Sequence, residues 1–282
     1  MAGTLYLVAT PIGNLKDITL RALETLRLAD VIACEDTRHT RKLLNHFEIS
    51  RPLVSYHEHN ERERSDELIS RLAAGESVAV VSDAGTPAIN DPGFVIVRKA
   101  IEAGIEVVPI PGPVAFVSAV TASGASTDSI FFGGFLPSKS GDRRKRLGEL
   151  ASVPATLVFY ESPNRIARSL ADCLDVLGNR HAAVARELTK LHETIVRGDL
   201  KTLAESFAAA PVKGEIVLVI DRAVAGGAEP RELSALAERV REIELTGADQ
   251  KSALKQAARE FGIGKSEAYR LLQAARQVTG RR

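Results

Sequence analysis

Five short apolar runs limit the fold of this chain more than any other feature. They are Leu5 to Ala9, Val31 to Cys34, Leu53 to Tyr56, Val78 to Val81 and Val107 to Ile110. Each is β-branched and too short for a helix, and the stretches between them carry helical spacing: Leu20, Leu23, Leu26 and Leu28 in one, Leu68, Ile69 and Leu72 in another. Asp91-Pro92 predicts the N-cap and first residue of a third helix, with Gly104 at its C-terminal end. Strand and helix alternating in this way predict a mostly parallel α/β sheet.

The pattern changes after the run Phe131 to Leu136. Ser138 to Arg146 reads as a polar, basic connector, and Thr156 to Tyr160 as a new strand. Ser162-Pro163 then caps a helix ending near Gly178, and Ala182 to Ala185, Glu193 to Arg197 and Glu215 to Ile220 read as further strands. Their closer spacing points to antiparallel pairing. Val224 to Pro230 reads as a linker, and helical patterning runs from about Glu232 to Val278. At 282 residues the chain is too long for one ordinary domain. The expected division is an α/β domain over 1–137, a second α/β domain over 147–223 and a small helical domain over 231–282.

Lys and Arg number 37 against 36 acidic residues, so any surface for a polyanion must be local. Cys34 and Cys173 have no metal-like spacing, which fits a reducing compartment. Met1 to Ala9 lacks the basic start of a signal peptide, and no apolar stretch approaches the ~20 residues needed to span a bilayer. The expected location is the cytoplasm, with no membrane association.

In an open α/β sheet, ligands bind beyond the carboxyl ends of the strands. The loops there are unusual: Thr10-Pro11-Ile12-Gly13-Asn14, Glu35-Asp36-Thr37-Arg38-His39-Thr40, Tyr56-His57-Glu58-His59-Asn60, Ser82-Asp83-Ala84-Gly85-Thr86-Pro87 and Pro111-Gly112-Pro113-Val114-Ala115. Small residues let backbone amides approach a ligand, and polar ones orient it. One such loop is commonly just a turn; five in succession point to a site. Gly-x-Gly-x-x-Gly is absent after the first strand, which disfavours a dinucleotide site. Gly262-Ile263-Gly264-Lys265-Ser266 lacks the first glycine and the preceding strand of a phosphate loop, and reads as a helix–helix turn.

These loops, with Asp91-Pro92-Gly93, Phe159-Tyr160-Glu161-Ser162-Pro163 and Arg186-Glu187-Leu188-Thr189-Lys190, resemble the tetrapyrrole methylase superfamily, in the branch that modifies ribosomal RNA. The resemblance runs from Gly3 to about Ile220. It implies a two-domain tetrapyrrole-methylase-like fold, here with a small helical C-terminal domain, and a homodimer. It also implies S-adenosyl-L-methionine bound between the two α/β domains and 2′-O-methylation of a cytidine in the decoding region of 16S ribosomal RNA, within the small subunit. By the same resemblance Pro11, Asp83, Gly85, Thr86, Val114 and Ala115 contact the cofactor from the first domain, and Tyr160, Leu188 and Gly214 from the second. Tetrapyrrole-modifying members carry Gly-Asp-Pro where this chain has Ser82-Asp83-Ala84, which makes a tetrapyrrole substrate less expected.

A ribose hydroxyl is a weak acid and needs a proton acceptor. His57 and His59 stand two apart, and an extended loop would turn both imidazoles to one side; the alternative is a pair of surface histidines. Asp36 can orient a histidine or ribose and Arg38 can grip a phosphate, unless the two form a local salt bridge. Glu161 and Glu187 fit structural roles better, and Lys190 fits a phosphate contact or a solvated side chain equally well. His39, His46, His181 and His192 lack ligand spacing, and no metal is expected.

For RNA, the cluster Lys139, Arg143, Arg144, Lys145 and Arg146 can contact phosphates, or be a solvated linker. From Asp249 to Arg282 eight basic residues face three acidic ones, a net +5. The spacing there fits a helix-turn-helix unit in which Lys265 and Arg270 meet phosphates and Tyr269 stacks on a base, or else a plain helical hairpin. Two further readings stay open: methylation of a small molecule such as a tetrapyrrole, and a non-catalytic nucleic-acid-binding ligand sensor.

Overall fold

The computed structural model describes residues 2–223, 230–245, 247–264, 268, 269, 271 and 272, with the backbone alone for 230–234. They fall into two compact units, Met1–Arg222 and Ala223–Arg282.

The first unit holds two five-stranded sheets. In the first, β1 (Thr4–Val8), β2 (Val31–Cys34), β3 (Leu53–Ser55), β4 (Val78–Val81) and β5 (Glu106–Ile110) are all parallel, in the order β3-β2-β4-β1-β5. Every residue of the inner strands β2 and β4 is buried, as apolar runs covered on both faces must be. The connections from β1 and β2 run one way along the sheet and those from β3 and β4 run the other. Right-handed crossovers therefore place α1 (Leu20–Leu28) and α2 (Thr37–His46) on one face, and α3 (Glu61–Ala73) and α4 (Phe94–Glu102) on the other. The cores obey this: Leu26 and Leu44 pack on Ile32, Cys34 and Val81, while Leu68, Leu72 and Ile96 pack on Val31, Ala33 and Val80.

The second sheet is mixed. Its order is β6 (Ile130–Phe135), β7 (Thr156–Glu161), β10 (Ile216–Ile220), β8 (His181–Arg186), β9 (Thr194–Asp199); only β6 and β7 are parallel. The helices α6 (Ser140–Leu150), α7 (Ile166–Leu177) and α8 (Leu200–Ala209) cover one face through Leu147, Leu170 and Leu203. The other face, with Val158, Ala185 and Val217, packs against α5 (Ala115–Ser123) and against Ile12 from the loop after β1.

Three expectations are corrected. Ser138 to Arg146 is not a solvated connector, since Ser140 onwards forms the first turns of α6. The helix expected to start at Asp91-Pro92 begins at Phe94 behind Gly93 (φ 146°), because its first N–H groups are taken by a distant side chain: Glu61 Oε1 accepts from the Gly93 N–H at 2.9 Å and the Val95 N–H at 3.3 Å. The loop carrying His57 and His59 is a turn rather than extended: Asn60 Oδ1 accepts from the His57 N–H at 2.9 Å, and the Asn60 N–H donates to the His57 carbonyl at 3.0 Å.

In the second unit, α9 (Pro230–Leu245) and α10 (Gln250–Glu260) pack together. Asp249 caps α10 by accepting from the Lys251 and Ser252 N–H groups. Beyond a turn at Gly262 (φ 66°), Ala268, Leu271 and Leu272 return to the cluster of Leu236, Val240, Leu254 and Ala258. Among the described residues no helix is long and apolar enough to cross a membrane.

Candidate active site

Adjacent strands β2, β4 and β1 send their connections in opposite directions, which opens a crevice at their carboxyl ends. The loops around it are cross-tied. Thr10 and Gly85 exchange backbone hydrogen bonds of 2.8 and 3.0 Å, and the Thr10 hydroxyl donates to the Ser82 carbonyl at 3.1 Å. Asp83 reaches sideways to accept the Asp36 N–H at 3.1 Å, fastening the loop after β4 to that after β2. Gly112 permits the loop after β5 to close in, since a Cβ there would stand 2.8 Å from the Ala9 Cβ.

Two cavities meet at this rim, sharing Ile12, Ala84 and Glu215. The first, of about 240 Å³, lies between the sheets. Ile12, Val114, Leu188 and Val217 give it apolar walls, and Thr86, Asn90, Asp91 and Tyr160 supply its main polar side chains. Its charged lining is Asp91 and Glu215, with no Lys, Arg or His among the described residues. The second, of about 290 Å³, lies toward α2 and is lined by His39, Lys42 and Lys190 beside Thr10, Pro11 and Asp83. Lys190 is held by Glu187 at 2.9 Å and Glu215 at 3.0 Å.

Burial, helped by the Glu35 and Asp83 carboxylates, pushes Asp91 up to about 6, against a smaller opposing effect of the Ser82 hydroxyl. Glu35 is raised too, by burial and then by Asp83, with His57 acting in the opposite sense. Unpaired like charges in a cleft mark a place where a cation is favoured.

Of the residues expected at the cofactor, Gly85, Thr86, Val114, Ala115, Tyr160 and Leu188 line the first cavity, and Pro11 and Asp83 the second. Gly214 adjoins Glu215; its φ of 93° and a would-be Cβ 2.4 Å from the Glu187 side chain require glycine there. His57 and His59 line neither cavity, although their rings lie 6.0 Å apart and His57 Nδ1 is buried without a hydrogen-bond partner. Asp36 caps α2 and binds Arg38 at 3.0 Å; the Arg38 guanidinium holds its carboxyl down at about 2, so this pair is a local salt bridge.

The cluster at the start of α6 is corrected most. Arg143 is buried, paired with Asp172 at 2.6 Å and donating to the Pro137 and Ser138 carbonyls, so it cannot meet phosphate. Arg144 binds Asp175 at 2.8 Å, and Arg146 binds Glu149 at 3.1 Å while lying over the Phe131 ring. Lys139 and Lys145 remain exposed. In the second unit Tyr269 is exposed, whereas Lys265 and Arg270 lie outside the described residues.

Sequence reasoning missed Asp91 as a site residue by reading it as a helix cap, set aside His39 and did not consider Lys42. Their signal was position, since all three follow strand ends at the crevice. The first cavity fits S-adenosylmethionine through its donor set: an apolar enclosure for a nucleoside, open backbone N–H groups at the start of α5, where no side chain caps the helix, and the Asp91 carboxylate, which pairs with no cation among the described residues.

Residues 4–204 match the model of the family described as tetrapyrrole (corrin/porphyrin) methylases. A protein of Mesorhizobium japonicum named ribosomal RNA small subunit methyltransferase I is 50% identical over 281 residues, covering 98% of this chain and 93% of that protein. Its namesake from Halalkalibacterium halodurans is 48% identical, covering 95% and 94%. Among solved structures, a cobalt precorrin-4 methyltransferase superposes with a TM-score of 0.59 at 18% identity, covering 77% of this chain and 94% of that one. A diphthine synthase gives 0.60 at 16%, covering 78% and 90%. Both share the fold.

Proposed function

The chain belongs to the tetrapyrrole methylase family, and on that premise we propose that it methylates the ribose 2′-hydroxyl of a cytidine in the decoding region of 16S ribosomal RNA, using S-adenosylmethionine. The observation that carries this reading is the 50% identity across 98% of the chain, through the helical unit, to a protein named for methylating small-subunit ribosomal RNA. In the same reading the protein acts in the cytoplasm, as a homodimer, on RNA within the small subunit.

S-adenosylmethionine supplies an electrophilic methyl on a sulfonium. The residues of the chain do the rest. Ile12, Val114, Leu188 and Val217 exclude water from the first cavity, and Gly85 and Thr86, the latter anchored to the Pro113 carbonyl at 3.5 Å, shape its floor. Asp91, which pairs with no cation among the described residues, sets a negative potential that favours a cationic group.

Asp91 is also the group in this cavity best matched to accept the hydroxyl proton, because a base titrating near 6 is ionised at neutral pH yet stronger than an ordinary carboxylate.

The test is incubation of purified protein with radiolabelled S-adenosylmethionine and small ribosomal subunits lacking the modification, followed by nuclease mapping. Label in 2′-O-methylcytidine is expected. Bound cofactor with no label in RNA would overturn the assignment and bring small-molecule acceptors forward.

A further inference from the structure

The two cavities share a rim but differ in charge. The first has only carboxylates among its charged lining, whereas the second sets His39 and Lys42 from α2, and Lys190 from the turn after β8, beside Asp83 and Glu215. Helix α2 continues that positive character beyond the cavity. Arg38, Arg41, Lys42 and Asn45 follow i, i+3, i+4, i+7 spacing, which sets them along one helical stripe, and all four are exposed. Thr40, Leu43 and Leu44 are buried and fix which side faces out. Apart from Arg38, tied to Asp36 at the helix start, these cations are free: among the described residues neither Arg41 nor Lys42 is drawn into an ion pair.

We propose that the exposed face of α2, with Arg41 and Lys42 at its centre and the second cavity beneath it, is the surface that grips the sugar-phosphate backbone of the RNA next to the target nucleotide. This rests on the RNA methylation assigned above and adds which face receives the substrate. Charge complementarity selects the occupant: Arg41 and Lys42 are exposed and unpaired, while the carboxylates of the cavity beneath are engaged, Asp83 by the Asp36 N–H and Glu215 by Lys190, so the unbalanced charge on this face suits phosphates. Position selects the register. Ile12, Ala84 and Glu215 line both cavities, so a nucleotide whose phosphates lie on α2 has its ribose at the rim of the cofactor cavity. The basic cluster of α6 is a poorer candidate. Its arginines are engaged by Asp172, Asp175 and Glu149, and the helix packs on the face of the second sheet opposite the one that lines the first cavity.

The test compares the full-length protein with the double variants Arg41→Glu/Lys42→Glu and Arg41→Ala/Lys42→Ala, and with Lys139→Glu/Lys145→Glu on α6. Binding of a labelled single-stranded RNA oligonucleotide is titrated across salt concentrations, S-adenosylmethionine affinity is measured by calorimetry, and methylation of unmodified small subunits is followed at limiting substrate. The α2 variants are expected to lose about tenfold in RNA affinity. Their log–log salt slope should become shallower by about 1.4, at ~0.7 per lost single-strand phosphate contact. Cofactor affinity should be retained, which also reports correct folding, and the α6 variant should match wild type. Wild-type RNA affinity and slope in both α2 variants, or an equal loss in the α6 variant, would overturn the proposal. If wild-type protein labels no subunits, the proposed function fails, while the salt slopes still decide whether α2 binds RNA.

Discussion

The two cavities at the mouth of the parallel sheet are within about a fifth of each other in volume and share three lining residues, yet their chemistry is opposed. Both are walled largely by apolar atoms, but one has carboxylates and no cation, whereas the other adds Lys42 and His39 from α2, and Lys190, to Asp83 and Glu215. The difference comes from the strand each borrows its loop from. The loops after β4 and β5 bring small and acidic residues to the space between the sheets, and the helix after β2 brings a basic face to the open side. A transfer between a cationic donor and a polyanionic acceptor is served by this separation, because the unpaired Asp91 carboxylate faces one lobe and the unpaired Lys42 ammonium the other.

The comparison can be broken in several ways. Asp91→Asn should have the largest effect, lowering turnover about 10²-fold at neutral pH by removing the proposed proton acceptor, while leaving RNA affinity unchanged. Single-turnover methylation beside RNA binding measures both, and an undiminished rate would remove Asp91 from the chemistry. Lys42→Glu, which gives the second lobe the charge of the first, is expected to raise KM for the subunit about tenfold with little change in kcat, read from steady-state kinetics.

The pH dependence sharpens the contrast. Ionised Asp91 favours a sulfonium, so S-adenosylmethionine affinity should fall as pH drops through about 6, and that of neutral S-adenosylhomocysteine should change less. Calorimetric titrations of both ligands decide it. The folded chain holds the Asp91 proton up to about 6, against about 3.9 for a free side chain, so the contribution of Asp91 to stability falls as pH rises between those values. Asp91→Asn should therefore gain about 1 kcal/mol at neutral pH after allowance for solvent screening, measured by urea unfolding. The smallest effect is expected at Arg144→Ala: a urea midpoint close to that of the wild type and no measurable change in RNA affinity.

The first sheet was legible because its buried strands are unbroken β-branched runs, and because loops rich in glycine, proline and polar residues stand at their ends. The mixed character of the second sheet was legible from strand spacing. What escaped depends on partners far along the chain. Arg143 and Asp172 lie 29 residues apart in sequence, and nothing local to Ser138 to Arg146 foretells that its central arginine is buried. Asp91 stands in a good capping position, but Glu61, 32 residues before Gly93, accepts the N–H groups at the helix start instead, a tertiary contact that overrides a local preference. The turn at His57 had a local sign in Asn60, whose side chain folds back to the His57 N–H and the Ser55 carbonyl. Lys42 was overlooked because a lone lysine on an amphipathic helix carries no signal until the helix is known to border a cavity.

Helix α5 belongs to the parallel sheet by connection, following β5, and to the mixed sheet by packing, through Ala119 and Val120 against Val158, Ala185 and Val217. Ile12 is shared in the same way. Pulling the sheets straight apart would expose this apolar contact to water, whereas sliding α5 along the strands would keep most of it covered. The mechanically soft direction of the molecule is therefore shear, and the first cavity can adjust its width by sliding while its walls stay dry.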